Sequence, residues 1–416
     1  MRDIPPIFTT AGPTEWASPP EWMSVHYLLD AERCPRSVAL RCSRYATIWK
    51  RQGYPEKPHA ASLIGQIIHT SVERIASSLA KKGYRGLGDL CAAQVLRELG
   101  GYSYVISQVT DAALSGLSDN PRLIRQKEAL FTDVRNRASI IREQVQVLVS
   151  RMTWEAVPIN QAAIEGVIGT SAHFAKTRGA LSPGLHFEAE LRDTALKFRG
   201  IADSIEVAQT GCTITDFKTG TKSENHEFQL RVYALLWQRD FELNPAGRTA
   251  TKLILSYPCA GQSVPVPTES ELADLSKDLK TRSETARAEV GSSSPKANLS
   301  IENCGRCQVR QLCTQYWTKD RQKSSAVPDP DACFDDIEIV LSTRRVETLW
   351  EAECVASSVL QQGVRLLVRI PASEIVAQER FTSGQRVRLT DAFVSARDGE
   401  DLPLVSLTAA TEFLFL

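Results

Sequence analysis

What this chain lacks first is an excess of charge of either sign. Its 49 Lys and Arg balance 49 Asp and Glu, for a formal net charge of zero over 416 residues. No global field draws in a polyanion, so any nucleic-acid binding has to come from a local groove. No stretch is long and apolar enough to span a bilayer. The opening MRDIPPIFTTAGPTEWASPPEW is proline-rich and has no apolar core, which excludes a signal peptide; residues 1–22 read as a flexible arm, and the cytoplasm is the expected location. The chain also has no GxxxxGK[ST] phosphate loop, so it carries no P-loop ATPase of its own.

What is present fits a globular protein of two or three domains, 43% hydrophobic and 24% charged. Residues 58–150 read mostly as long helices, with 122–152 as one helix of a lid and a helical insertion over about 84–180. HFEAEL (186–191), FRGIADSIEV (198–207) and CTITDFKT (212–219) read as successive strands, followed by a helix over 224–241 and a strand at 252–257. GSSSPKANLS (291–300) and SSAVPDPDA (324–332) are linkers.

Within this frame His69, Asp203, Asp216, Lys218, Gln229 and Tyr233 stand out. Side chains alternate along a strand, so Asp216 and Lys218 share one face and Phe217 takes the other. Two carboxylates, an imidazole and a lysine at one point suit metal-assisted phosphodiester chemistry. Singly, each has an ordinary explanation. His69 sits on the apolar stripe of Ile64, Ile68, Val72 and Ile75, where a histidine is usually packing; Asp216 and Lys218 could be a surface ion pair of little worth. Their order along strand, turn, strand and helix tips the balance.

That order resembles the RecB-like branch of the PD-(D/E)xK nuclease superfamily, which is recognised by a helical GxxxH, a GxxD strand, a D-x-K strand and a QxxxY helix. Gly65 to His69, Gly200 to Asp203, Asp216 to Lys218 and Gln229 to Tyr233 match in sequence order, with Ala202 replacing the usual proline. The resemblance implies an α/β core, a mixed sheet flanked by helices, over residues 23–323. It also implies catalytic roles for Asp203, Asp216, Lys218, Gln229 and Tyr233. Mg2+ takes few protein oxygens, so Asp203, Asp216 and the Phe217 carbonyl suffice for it, and His69 as a further ligand admits Mn2+. Lys218 would orient or help deprotonate the attacking water. Gln229 and Tyr233 would position the nucleic-acid backbone, and Glu190 would touch a second metal.

Of ten cysteines, Cys34, Cys304, Cys307 and Cys313 stand apart. C-x2-C-x5-C with a distant fourth thiol suits Zn2+ or an iron-sulfur cluster, and the residues alone leave both open. The AddB-type helicase-nuclease subunits and the four-cysteine CRISPR-adaptation nucleases, which this arrangement resembles, place one cysteine before the core and three after it. By that resemblance the group is a [4Fe-4S] cluster, clipping a loop of about 270 residues. Cys42 is the rival to Cys34. Cys91, Cys212, Cys259, Cys333 and Cys354 read as buried free thiols in helical or strand-like contexts.

Beyond residue 333, five runs of strand character with a helix at SEIVAQER (373–380) fit an all-β OB-like barrel over 333–416. Arg306, Arg310, Lys319, Arg321 and Lys323, interleaved with Tyr316 and Trp317, are groove candidates, as are Phe381, Phe393, Arg386 and Arg388 in the barrel. The expectation is a metal-dependent nuclease cutting single-stranded DNA from an end, in repair, recombination or phage defence, with a separate helicase or ATPase partner. The alternative is a partner-activated DNA-binding or scaffold subunit.

Overall fold

The computed structural model describes residues 12–45, 49–123, 125–155, 178–318, 333–371, 381–395 and 402–416. The first of these already correct an expectation. Thr14 N–H bonds the Arg44 carbonyl at 2.9 Å, and the Met23 N–H and carbonyl pair with Lys197 and Arg199. Ala17 is buried, and Trp16 lies under the Arg36 guanidinium. Apolar Trp16 and Ala17 thus hold residues 14–23 against the core; the arm's residues 1–11 lie outside the described residues.

Helix α1 (Val25–Arg33) starts at Ser24, whose hydroxyl accepts from Tyr27 N–H. Helix α2 (Pro35–Cys42) starts at a proline, which has no N–H to continue α1 and is preset for a first turn. Cys34 is therefore left extended between the two helices. After the hairpin β1 (Arg44–Tyr45) and β2 (Trp49–Gln52) comes α3 (Ala60–Lys81), which buries Leu63, Ile67, Ile68, Val72, Ile75 and Leu79 at helical spacing.

Helices α4 (Ala92–Glu98), α5 (Gly101–Ser115), α6 (Lys127–Asn136) and α7 (Ala138–Arg151) share that core. The single helix expected over 122–152 is instead a 3-10 turn at Pro121–Leu123 followed by α6 and α7. Arg137 N–H closes α6 onto the Val134 carbonyl, and the chain bends there. The bend lets Phe131 and Val134 meet the same core as Ile141, Val145 and Leu148.

The central sheet contains β3 (Gly184–Asp193), β4 (Phe198–Val207), β5 (Cys212–Phe217), β6 (Ala250–Ser256) and β7 (Gly261–Val264), in that spatial order. β5 and β6 are parallel and the other pairs antiparallel. Parallel neighbours need a crossover, and α8 (Glu224–Arg239) supplies it. Then come α9 (Glu269–Val290), opened by a reciprocal Thr268–Glu271 capping box, and the short α10 (Ile301–Gly305). One sheet face packs Ile205, Ile214 and Leu253 under α1, α8 and α9; the other sets Leu185, Phe187 and Phe217 against α3 and the helices around it.

The C-terminal part is β8 (Cys333–Val346), β9 (Leu349–Ala356), β10 (Arg365–Arg369), β11 (Arg386–Ser395), β12 (Leu404–Ser406) and β13 (Glu412–Phe415). Among the described residues these are six strands where five were expected. A turn closed by Thr408 and Thr411 divides the last run in two. β12 pairs in parallel with β10 and antiparallel with β11, so the pairings β8-β9-β10-β12-β11-β8 form a ring, with β13 added beside β11. The helix expected at 373–380 falls outside the described residues.

This part is clasped to the rest by buried charge. Arg122 donates to both Glu412 carboxylate oxygens at 2.9 and 2.8 Å, and to the Pro55 and Gln308 carbonyls. Arg310 pairs with Asp336 and Asp391, and the Tyr316 hydroxyl donates to Asp336. Arg388 bonds Glu338 and the Gln311 carbonyl while lying over the Trp317 ring. Arg310, Tyr316 and Trp317 are thereby an internal interface and not the basic groove expected of them. Arg306 is exposed beside Glu302; Lys319, Arg321 and Lys323 lie outside the described residues.

Candidate active site

The four sequence motifs meet where α3, β4, β5 and α8 converge. Each motif glycine has a steric reason to be there. A Cβ on Gly200 would come within 2.4 Å of Tyr233 Cε1, and one on Gly65 within 3.0 Å of Thr219 Oγ1. The first glycine lets α8 close on β4. The second brings α3, and so His69, against the end of β5.

Lys218 Nζ stands 2.5 Å from Asp216 Oδ2 and donates to Gln229 Oε1 at 2.9 Å. The Gln229 amide donates in turn to the Tyr233 hydroxyl at 2.5 Å. Asp203 Oδ2 accepts the Phe217 N–H at 2.5 Å and lies 3.6 Å from His69 Nδ1. The His69 and Phe217 rings meet edge to face. Expected site residues on α3, β4, β5 and α8 are therefore brought together, with Asp216 and Lys218 set deep, their side chains 3% and 16% exposed.

Burial, with Asp203 next to it, raises the Asp216 carboxyl to about 6, against the opposing pull of Lys218. Burial works against a charged His69, yet Asp203 and Asp216 outweigh it and raise that pKa. Burial raises the Tyr233 phenol as well, with Asp216 adding to it.

An open cleft alongside is lined by Gln66, His69, Glu73, Glu188, Asp203 and Thr219. Glu188 went unrecognised in the sequence. It stands opposite Asp203, between the register pairs Phe187–Ser204 and Ala189–Ala202, with φ at +50°. Partial burial, Asp203 and Glu73 push it up to about 7. Glu190, expected at a second metal, faces Arg192 and Arg199 instead, and its carbonyl accepts from Arg178. Those three guanidiniums hold it outside the cleft.

The residues suit a hard cation by donor type: carboxylates Asp203, Asp216 and Glu188, with an imidazole. Asp216 Oδ2 is buried beside the Lys218 ammonium at 2.5 Å, so a cation held by this carboxylate would share it with Lys218. Among the described residues no set of three or more His, Cys, Asp or Glu side chains is drawn to the spacing of a bound metal.

Cys34, Cys304, Cys307 and Cys313 line one small cavity with Ser37 and Arg310, and Ser37 Oγ lies 3.3 Å from Cys307 Sγ. Burial raises the Cys304 and Cys313 thiols, and the neighbouring cysteines add to it. Cys42 does not line this cavity; it packs against the central core. Cys91 and Cys259 are exposed at a left-handed helix cap and a bend, contrary to the buried placement expected of them.

No helix among the described residues is long and apolar enough to cross a membrane. Solved structures similar to the chain include SSO0001, at 14% identity over 64% of this chain and 91% of that one, with a TM-score of 0.20. The p204 HINb domain matches at 11% identity over 58% of this chain and 100% of that one, with a TM-score of 0.18. Scores this low carry no argument. No curated protein matches. A family model does match, over residues 23–314, which takes in α1 to α10, the central sheet and every motif above. The chain belongs to the PD-(D/E)XK nuclease superfamily, whose members are generally metal-dependent nucleases.

Proposed function

We propose that the chain is a metal-dependent DNA nuclease of the RecB-like branch, cutting single-stranded DNA from an end. The observation that carries this reading is the chain of contacts His69–Asp203, Asp216–Lys218–Gln229–Tyr233 around the C-terminal end of β5, beside an open cleft.

Phosphodiester hydrolysis requires phosphate charge to be neutralised, a water to be deprotonated and the leaving oxygen to be stabilised. A Mg2+ or Mn2+ held by Asp203, Asp216 and the Phe217 carbonyl, with His69 as a further donor, supplies Lewis acidity at the phosphate. The protein's own part is positional. Asp216 and Gln229 hold the Lys218 ammonium in place for the attacking water and the charge developing on the phosphate, and Tyr233 fixes Gln229. The Phe217 N–H fixes Asp203, and Glu188 adds a carboxylate to the cleft wall.

Four thiols around one cavity support a [4Fe-4S] cluster there, with Zn2+ as the other tetrahedral-thiolate choice. The ring of strand pairings supports an OB-like barrel for 333–416, and the lack of a phosphate loop supports a separate helicase or ATPase partner.

The test is cleavage of end-labelled single-stranded, double-stranded and forked DNA by anaerobically purified protein, with Mg2+, Mn2+ or EDTA. Metal-dependent cutting lost in Lys218→Ala is the expected result. Cutting by Lys218→Ala at the wild-type rate would remove the assignment, and intact DNA binding without cleavage would favour a partner-activated subunit.

A further inference from the structure

Three candidate nucleic-acid contacts of the C-terminal part are spent elsewhere: Arg386 and Arg388 pair with Glu338, and Phe381 is buried against Phe413 and Phe415. A different row of side chains is not engaged in such pairings among the described residues. Residues in register on neighbouring strands share a face. Phe334 on β8 is in register with Phe393 on β11, Phe393 with Ser406 on β12, and Ser406 with Arg369 on β10. Their chain neighbours Val394, Val405 and Val368 are buried in the core these strands share, so this row faces outward.

Phe393 faces outward because of one extra residue. Before Asp391 the outward residues of β11 are Arg386 and Arg388; after it the register to β8 shifts by one, and Asp391 takes φ +55°. A bulge of this kind re-aims side chains. Without it Phe393 would face the core. With it, Asp391 reaches Arg310 and Phe393 comes beside Phe334, ring centroids 5.5 Å apart and 67° between planes. Phe334 is 65% exposed and Arg369 is exposed at the far end of the row. By contrast, neighbouring β9 carries Glu351, occupied by Arg345 and Arg365.

We infer that this face is a second, non-catalytic site for single-stranded DNA, in which Phe334 and Phe393 stack on bases and Arg369 meets the backbone. Two π faces flanked by a hydroxyl and a guanidinium match unpaired bases joined by phosphates. Duplex DNA keeps its bases inside and cannot use the rings. The inference rests on the single-strand reading above and extends it to a surface outside the cleft.

The experiment is fluorescence anisotropy of the full-length chain with a labelled oligothymidylate and a duplex of equal length, without added divalent metal. Phe334→Ala/Phe393→Ala weakens single-strand binding roughly ten-fold or more and leaves duplex binding unchanged. Phe334→Tyr/Phe393→Tyr keeps the affinity, whereas Phe334→Leu/Phe393→Leu loses it, which separates stacking from plain apolar contact. Wild-type affinity in the Leu pair, equal loss for both DNAs in the Ala pair, or no single-strand binding by the wild type overturns the site. Cleavage by the same proteins with Mn2+ is read separately: wild-type protein that binds the oligonucleotide but never cuts loses the nuclease assignment and keeps this one.

Discussion

Gly200→Ala isolates why the GxxD strand needs its glycine. Gly200 lies on an extended strand outside the left-handed region, so alanine is allowed by the backbone and the cost is steric. The new Cβ would lie 2.4 Å from Tyr233 Cε1, and ordinary contact begins near 3.4 Å, so the ring has to retreat by about 1 Å. Overpacking of this size costs about 1–3 kcal/mol. A retreat of that length also breaks the 2.5 Å bond from Gln229 to the Tyr233 hydroxyl, adding roughly 1 kcal/mol. The expected loss is therefore about 2–4 kcal/mol in urea unfolding. It should nearly vanish when Tyr233→Ala is already present, since the ring that clashes is gone. The double-mutant cycle gives the coupling directly. Cleavage should fall as well, because Gln229 holds Lys218. Equal cost of Gly200→Ala with and without the Tyr233 ring would refute the steric account.

Asp216 has a folded pKa of about 6 against an ordinary 3.8. A raised acid pKa gives stability that is present below the unfolded pKa and lost as pH rises through the folded one. In metal-free protein, wild type should therefore lose stability relative to Asp216→Asn between pH 4 and pH 7. Parallel pH–stability curves would count against it. Arg122→Ala strips the partner from Glu412 and should cost about 3–5 kcal/mol; differential scanning calorimetry that leaves the melting profile unchanged would contradict the clasp. Cys307→Ala is expected to lose bound metal and visible absorbance, and Cys42→Ala to keep both; metal analysis of the two proteins decides.

Much of the centre was legible because it is written locally. Strand 198–207 matches β4 residue for residue, and alternation placed Asp216 with Lys218 and Phe217 opposite. Alternation could not separate Glu188 from Glu190, which share a face; only the positive φ at Glu188 and the three arginines around Glu190 distinguish them. Thr268 and Glu271 had the spacing of a capping box, so the start of α9 was readable and was missed. The break at Arg137 was not, because both flanking stretches keep helical periodicity. Nor was the Arg122–Glu412 pairing, across 290 residues of sequence.

The clasp around Arg122 and Arg310 also limits how this protein can be recombined. A chimera joined within 324–332 looks safe, since that stretch reads as a linker. It would nonetheless part Arg122 from Glu412, Arg310 from Asp336 and Asp391, and Trp317 from the guanidinium of Arg388. Arg122, with its side chain 2% exposed, would face a foreign surface with its charge unanswered. A graft would have to carry both halves of each pair, so these two parts travel as one heritable unit although the sequence between them reads as a linker.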